Sequence, residues 1–441
     1  MLFEALVTLL ATTRSTSLVA QWTGVRKFLP LLSVKRFNAV AGFGEELLSR
    51  QMDGCKSFED TYWANYWTKF ATEQLECFKE ELNKAGLQFN QAWLDENAPL
   101  APSPEVLLFL GKGASLITQT PPGMTVNVGR MSAVVAAEDQ GSFAAVEALL
   151  KSVGYFFIAA WPGQTPMRDR AYRTCERLFD ILLDATAPTI DVIVERHTVQ
   201  TNGEDVKLYA LLPAPKSGVT AVKLPGILIS NGLEGTNVET LSSALRSQSS
   251  ISSCFFFMEM PGTYAYKKPM RKATSESIYS DVFTYLQSHP SVDASRLGMI
   301  GISFGGNCAT RMAIADKRIK AVVASGAPLG RSLKPTASFG MPEIVVTAFH
   351  QVLGANSVRD LKAALQDLSP KRRDIEGIHC PVLAINGDND TLVSTQDTVD
   401  LAAWAPHSEL YIYPNDDHCA MGHLHKWLDL SRTWIQDKLE G

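Results

Sequence analysis

The stretch Arg296-Leu-Gly-Met-Ile-Gly-Ile-Ser-Phe-Gly-Gly306 decides how the rest of the chain is read. Its apolar run from Leu297 to Ile302 predicts a buried strand, and Asn307 to Ala315 behind it predicts a helix. Between them, Gly301-Ile302-Ser303-Phe304-Gly305 fits the pattern G-x-S-x-G, a sharp turn that lifts a serine hydroxyl clear of a sheet's end. The glycines two before and two after the serine leave room for the neighbouring strand and helix. Five letters alone are a weak signal; the strand in front and the helix behind give them weight.

Outward from this turn, apolar strands alternate with helical stretches. Strands are predicted at Gly226 to Ser230, Cys254 to Met258, Ala321 to Ala324, Val382 to Ile385 and Leu410 to Tyr413, with helices at Ser275 to Ser288 and Asn307 to Asp316. Ahead of them, Asp191 to Val199 and Val206 to Leu212 read as two strands joined by the hairpin turn Thr201-Asn202-Gly203. The pattern predicts a mostly parallel sheet flanked by helices, an α/β fold. Residues 1–189 are predicted to be a mainly helical cap region and 190–441 the catalytic domain, with 328–377 an insertion placed to form part of a lid. Tyr62, Trp63, Tyr66 and Trp67 are read as helix-packing core, and Leu107 to Val128 stays ambiguous.

A serine hydroxyl is a poor nucleophile at neutral pH, so it needs a histidine to take its proton and a carboxylate to orient that histidine. Four of the eight histidines lie beyond the strand at Val382. His407 precedes the last strand and falls at the wrong end of the sheet, while His423 and His425 sit in a helical run. His418 follows the last strand and the short loop Pro414 to Asp417, where the base belongs. For the acid, Asp390 stands three residues past Gly387, with Asp388 as the runner-up and otherwise a loop brace. Glu259, Asp416 and Asp417 are read as solvated or loop-bracing. The backbone N–H of Phe304, with that of Gly232 or Leu233 after the strand at Gly226, would form the oxyanion hole.

These residues resemble the FrsA-like branch of α/β-hydrolases. The resemblance rests on Asn231-Gly-Leu-Glu-Gly235, Met258-Glu-Met-Pro-Gly-Thr263, His289 to Gly298, Asn386-Gly-Asp-Asn-Asp390 and Asp417-His-Cys419, and spans about 150 to the C-terminus. It is similar in particular to fungal hydrolases that shorten polyketides in pigment pathways, and to a related bacterial C–C hydrolase acting on a pyridine ketone. Residues 1 to about 130 match only loosely, and Glu234 stands where relatives tend to carry aspartate. The resemblance implies an α/β-hydrolase fold with a helical N-terminal cap, a Ser-Asp-His triad, no metal or organic cofactor, and often a homodimer. It implies a small aromatic or polyketide-like substrate, cut at an acyl bond or by retro-Claisen cleavage of a β-diketone. The alternatives are a carboxylesterase or thioesterase that releases a polyketide product, and a non-hydrolytic cyclase or binding protein.

Composition limits the other classes. At 441 residues the chain can bury a large core, and a net charge of −5 gives no basic footprint for nucleic acid. Seven cysteines without a C-x-x-C pair argue against a disulfide framework or a zinc site and suit a reducing compartment. Glu4 stands where a signal peptide carries positive charge, and no apolar run reaches the ~20 residues of a membrane span. The expectation is a cytoplasmic protein without a membrane partner.

Overall fold

In the computed structural model the described residues are 2–131, 136, 138–163, 165–215, 222–246, 252–334 and 339–440. The N-terminal part is helical: α1 (Leu2–Thr13), α2 (Thr16–Thr23), α3 (Ser33–Ala41), α4 (Glu45–Gly54) and α5 (Asp60–Lys84). There follow α6 (Pro104–Gly113), α7 (Ser115–Thr118), α8 (Val128–Met131), α9 (Gln140–Ala160) and α10 (Pro166–Thr186). The ambiguous segment after Leu107 thus resolves into α6 and α7. Trp63 and Trp67 on α5 are fully buried, whereas Tyr62 is exposed, so one of the four aromatics stands outside the core.

Helix α9 is apolar almost all round because it is enclosed by α5, α10 and α6. It is long and apolar enough to cross a membrane by length and composition, yet 83% of its most apolar 18 residues are buried inside the protein. The sequence shows no unbroken apolar run of that length because Glu147 and Lys151 interrupt it; the two pair with each other one turn apart.

An eight-stranded sheet follows, with β1 (Val192–Thr201), β2 (Glu204–Pro213), β3 (Leu224–Ser230), α11 (Asn237–Leu245), β4 (Cys254–Met258) and α12 (Lys272–Ser288). Next come β5 (Val292–Ile302), α13 (Phe304–Ala315), β6 (Ile319–Ser325), α14 (Glu343–Val352), α15 (Val358–Asp367) and α16 (Arg372–Ile375). The chain closes with β7 (Val382–Gly387), α17 (Thr395–Trp404), β8 (Ser408–Tyr413) and α18 (Leu424–Glu440).

The strand order is β1-β2-β4-β3-β5-β6-β7-β8, parallel from β4 to β8, with β1 and β2 antiparallel at one edge. The β1–β2 turn places Asn202 and Gly203 at φ 52° and 73°, the left-handed pair that a two-residue hairpin requires. All loops that leave the carboxyl ends of the parallel strands emerge on one side, where open α/β sheets place their sites.

The segment 328–377 carries α14 to α16; its residues 335–338 lie outside the described residues. Helix α14 packs against α1, and Phe349 meets the Phe304 ring edge-on at 5.8 Å.

Candidate active site

Ser303 sits between β5 and α13 at φ 55°, ψ −122°, a strained conformation for a residue with a Cβ. Its N–H donates to the Ser325 carbonyl at the end of β6 over 2.7 Å, which pins the turn to the neighbouring strand. Neither flanking glycine tolerates a side chain. A Cβ on Gly301 would lie 2.1 Å from the Gly305 carbonyl oxygen, and one on Gly305 would lie 2.3 Å from that of Ser230.

His418 follows β8, and its Nε2 lies 2.8 Å from Ser303 Oγ while its Nδ1 lies 2.8 Å from Asp390 Oδ2. The three residues singled out from the sequence are therefore brought into one hydrogen-bonded line. Two left-handed residues, Cys419 and Ala420 at φ 54° and 48°, turn the chain sharply behind the histidine. The loop Pro414 to Asp417 passes over Gly387, where a Cβ would come within 2.3 Å of the Asp416 and Asp417 carbonyl oxygens.

Asp390 is held on all sides. Its Oδ1 accepts the Leu392 and Val393 amides at 2.9 and 2.8 Å, and its Oδ2 accepts Asn386 Nδ2 at 2.8 Å. Burial pushes this carboxyl up, but the His418 charge and these hydrogen bonds outweigh it and keep its pKa below the ordinary range. For His418, burial pulls the imidazole down; the Asp390 carboxylate more than reverses this and raises its pKa well above the usual value.

Asn386, one residue of the stretch Asn386 to Asp390, ties the two loops together. Its Nδ2 donates to Asp390, and its Oδ1 accepts the Cys419 amide at 3.0 Å, directly behind the histidine. Asp388, the alternative acid, faces the loop instead: its Oδ1 accepts the Asp416 amide at 3.3 Å. Asp416 is buried and braces the same loop through the Asp417 and Gly422 amides and His423 Nδ1.

Gly232 lies directly against the serine, since a Cβ there would stand 2.7 Å from Ser303 Cβ. The loop from Asn231 to Glu234 is thereby placed beside the nucleophile. Asn231 Oδ1 accepts the Met260 amide at 3.1 Å and fixes this loop to the one after β4. Phe304 occupies the first position of α13, where a helix amide has no carbonyl one turn back to bond.

Of the two roles expected for Glu259, solvated or loop-bracing, it takes the second. It is not solvated: it lies 3% exposed at the end of β4, accepting the Asn237 amide at 3.1 Å and lying 3.0 Å from the Tyr172 hydroxyl of α10. Burial, reinforced by the neighbouring Glu176, raises its pKa to about 8. Tyr172 also lies 2.8 Å from Glu176, which takes Lys207 Nζ at 3.0 Å. A proton on Glu259 completes this chain, because the tyrosine hydrogen is then free to donate to Glu176. Tyr264 is buried as well, stacked on Tyr172 at 4.7 Å with its hydroxyl donating to the Glu234 carbonyl.

A cavity of about 160 Å³ opens on Ser303 and His418. Its walls come from the sheet, α11, α18 and, on the N-terminal side, Trp161 and the segment Pro30 to Ala39. The 328–377 segment contributes no lining residue among the described residues; the covering part is α3. On that helix, Arg36 donates to both carboxylate oxygens of Glu239, at 2.8 and 2.9 Å, and to Glu234 at 3.1 Å.

A mostly parallel sheet with a serine at a strained strand–helix turn after β5, an acid after β7 and a histidine after the edge strand β8 defines an α/β-hydrolase. The chain belongs to the FrsA-like esterase family: residues 125–440 match the family described as "Esterase FrsA-like". It is similar to Esterase FrsA of Vibrio cholerae, with 24% identity over 325 residues, covering 71% of this chain and 74% of that one. Esterase FrsA of Vibrio vulnificus is 26% identical over 191 residues, covering 41% and 45%. Among solved structures, the 2,6-dihydroxy-pseudo-oxynicotine hydrolase aligns with a TM-score of 0.59 at 17% identity, over 92% of this chain and 95% of that one. AbyA5 aligns at 0.56 and 18% identity, over 72% and 96%. At such identities these structures share the fold. The protein is a serine-type α/β-hydrolase enzyme.

Proposed function

We propose that Ser303, His418 and Asp390 form the catalytic triad of a hydrolase that cleaves an acyl bond in a small, largely apolar molecule. The observation that carries this is the unbroken line from Ser303 Oγ through the imidazole to Asp390, each link 2.8 Å. Ser303 Oγ attacks the acyl carbon as its proton passes to His418 Nε2. The charge that develops on the carbonyl oxygen is met by the Phe304 amide and by that of Gly232 or Leu233. The bond to the leaving group breaks, the leaving atom takes the proton from Nε2, and water, activated by the same nitrogen, frees the acid.

The finer reading is a polyketide-like substrate cut at a carbon–carbon bond beside a ketone. What supports it is the resemblance in the loops around Asn231, Met258 and Asn386. The leaving group is then a carbanion stabilised by a second carbonyl, and His418 protonates carbon in place of oxygen. A carboxylesterase or thioesterase uses the same groups, so substrate decides between them. Turnover of a β-diketone and of p-nitrophenyl and thioester substrates, measured on wild type and Ser303→Ala, tests both levels. Loss of every activity in the folded variant supports the triad; unchanged turnover overturns it. Faster thioester than β-diketone cleavage would overturn the carbon–carbon reading alone.

A further inference from the structure

The cavity does not stop at the nucleophile. It continues over the face of the sheet, floored by Ile302 and Ile300 of β5, Ile229 of β3, Phe257 and Phe255 of β4, and Leu211 of β2. Register fixes how deep this floor runs. Phe255 pairs with Ile227, which pairs with Gly298, five residues before Ser303, so the chamber reaches about 16 Å below the serine at the rise of a strand. Leu211 lies beside Phe255 on the next strand, so the chamber also slants toward the β2 edge.

The side walls are helical. Leu424, Trp427, Leu428 and Ser431 of α18 face the chamber at the spacing of one helix stripe, covering about 10 Å of its length. Thr240, Ser243 and Ala244 of α11 form the opposite wall. The two hydroxyls there are spent on their own helix, Thr240 on the Asn237 carbonyl and Ser243 on that of Glu239. Under β5 the chamber is closed by Ile435 and Leu439, which pack where a Cβ on Gly298 would stand. Arg432, near the deep end, is paired with Asp429 at 3.0 Å. Protein interiors pack at crystal density, so an apolar chamber continuous with a nucleophile is space kept for a ligand.

Topology says which part of a substrate enters. His418 and Asp390 follow β8 and β7, on one side of Ser303, and the leaving group must lie there to collect its proton from Nε2. Leu392, Cys419 and Met421 line the mouth on that side, whereas the deep floor of the chamber runs the other way, over β3, β4 and β2.

We propose that this chamber is the acyl subsite and that the substrate carries a linear apolar acyl chain, extended between the sheet and α18 from Ser303 toward Phe255. The proposal rests on the acyl-serine reading above and adds the class of acyl group. It is tested with p-nitrophenyl esters from acetyl to dodecanoyl, beside labelling of the serine by a small fluorophosphonate. Each methylene that enters the chamber should raise kcat/KM about fourfold, the value of burying a CH₂, until the chain reaches the floor and the rate falls. Ala244→Phe, which fills the chamber from α11, should move the optimum to shorter chains and lower the decanoyl-to-acetyl ratio at least tenfold. If that variant fails to fold, Ser243→Leu on the same wall serves the same purpose. A labelled wild type with a flat profile, or one fastest on acetyl, overturns the subsite while leaving the serine in place. A rising profile that neither variant moves would put the chain against the cap and overturn it too. A protein that neither labels nor cuts any ester overturns the serine reading itself.

Discussion

At the scale of single residues, the site depends on how Asp390 and His418 set each other's charge. The carboxylate raises the imidazole's pKa, so the imidazole is protonated, and in the proposed mechanism unable to take the Ser303 proton, over a wider acidic range than a free histidine would be. The rate should therefore rise with pH along a limb above the ordinary histidine range. In Asp390→Asn the counter-charge is gone, so this limb should move to lower pH while kcat falls roughly 10³–10⁴-fold; a pH–rate profile of both proteins checks the direction. Gly232→Ala should also lower kcat, by about tenfold or more, because its methyl would crowd Ser303 at 2.7 Å. That Ser303, Asp390 and His418 meet was legible because each had to follow its own strand, which left few candidates. Asn386 was not: its role is a pair of hydrogen bonds to Asp390 and Cys419, and nothing in an asparagine inside a turn announces them.

At the scale of elements, the chain from Glu259 through Tyr172 and Glu176 to Lys207 joins β4, α10 and β2. The folded protein keeps the Glu259 proton up to about pH 8, whereas the group's ordinary value is 4.5. Across that window the folded state binds a proton that the unfolded chain has released, so this residue makes stability fall as pH rises. Glu259→Gln keeps a neutral side chain of the same shape and should flatten that fall, a change that thermal midpoints measured across the window would show. Equal pH slopes in both proteins would mean that the carboxyl is ionised when folded. Strands and helices were legible from their periods, and Asn202-Gly203 announced its hairpin. The burial of Glu259 was not legible, since its partners lie on α10, 87 residues away in the chain.

At the scale of the whole molecule, α3 lies upstream of the family-matched residues 125–440 yet touches both sides of the site. Arg36 grips Glu234 and Glu239 beside the Gly232 loop, and Lys35 reaches Asp416 at 3.8 Å in the loop before His418. Arg36→Met would leave two largely buried carboxylates facing each other, at a cost of about 3 kcal/mol. It should lower both the unfolding midpoint and kcat, and a denaturation curve beside steady-state rates would separate the two. The general architecture was legible because a mostly parallel sheet with helices between strands has few topologies. The cover over the site was not. The insertion after β6 was the natural candidate from length alone, but the contacts of α3 span 198 residues of sequence and carry no local signature.

The most direct measurement is intact-protein mass spectrometry after exposure to a fluorophosphonate, with wild type beside Ser303→Ala and His418→Ala. A serine activated by the imidazole 2.8 Å away gives a single adduct on wild type, located at Ser303 and lost in both variants. No adduct on folded wild type, or one that survives in Ser303→Ala, would contradict the assignment of Ser303 as the nucleophile.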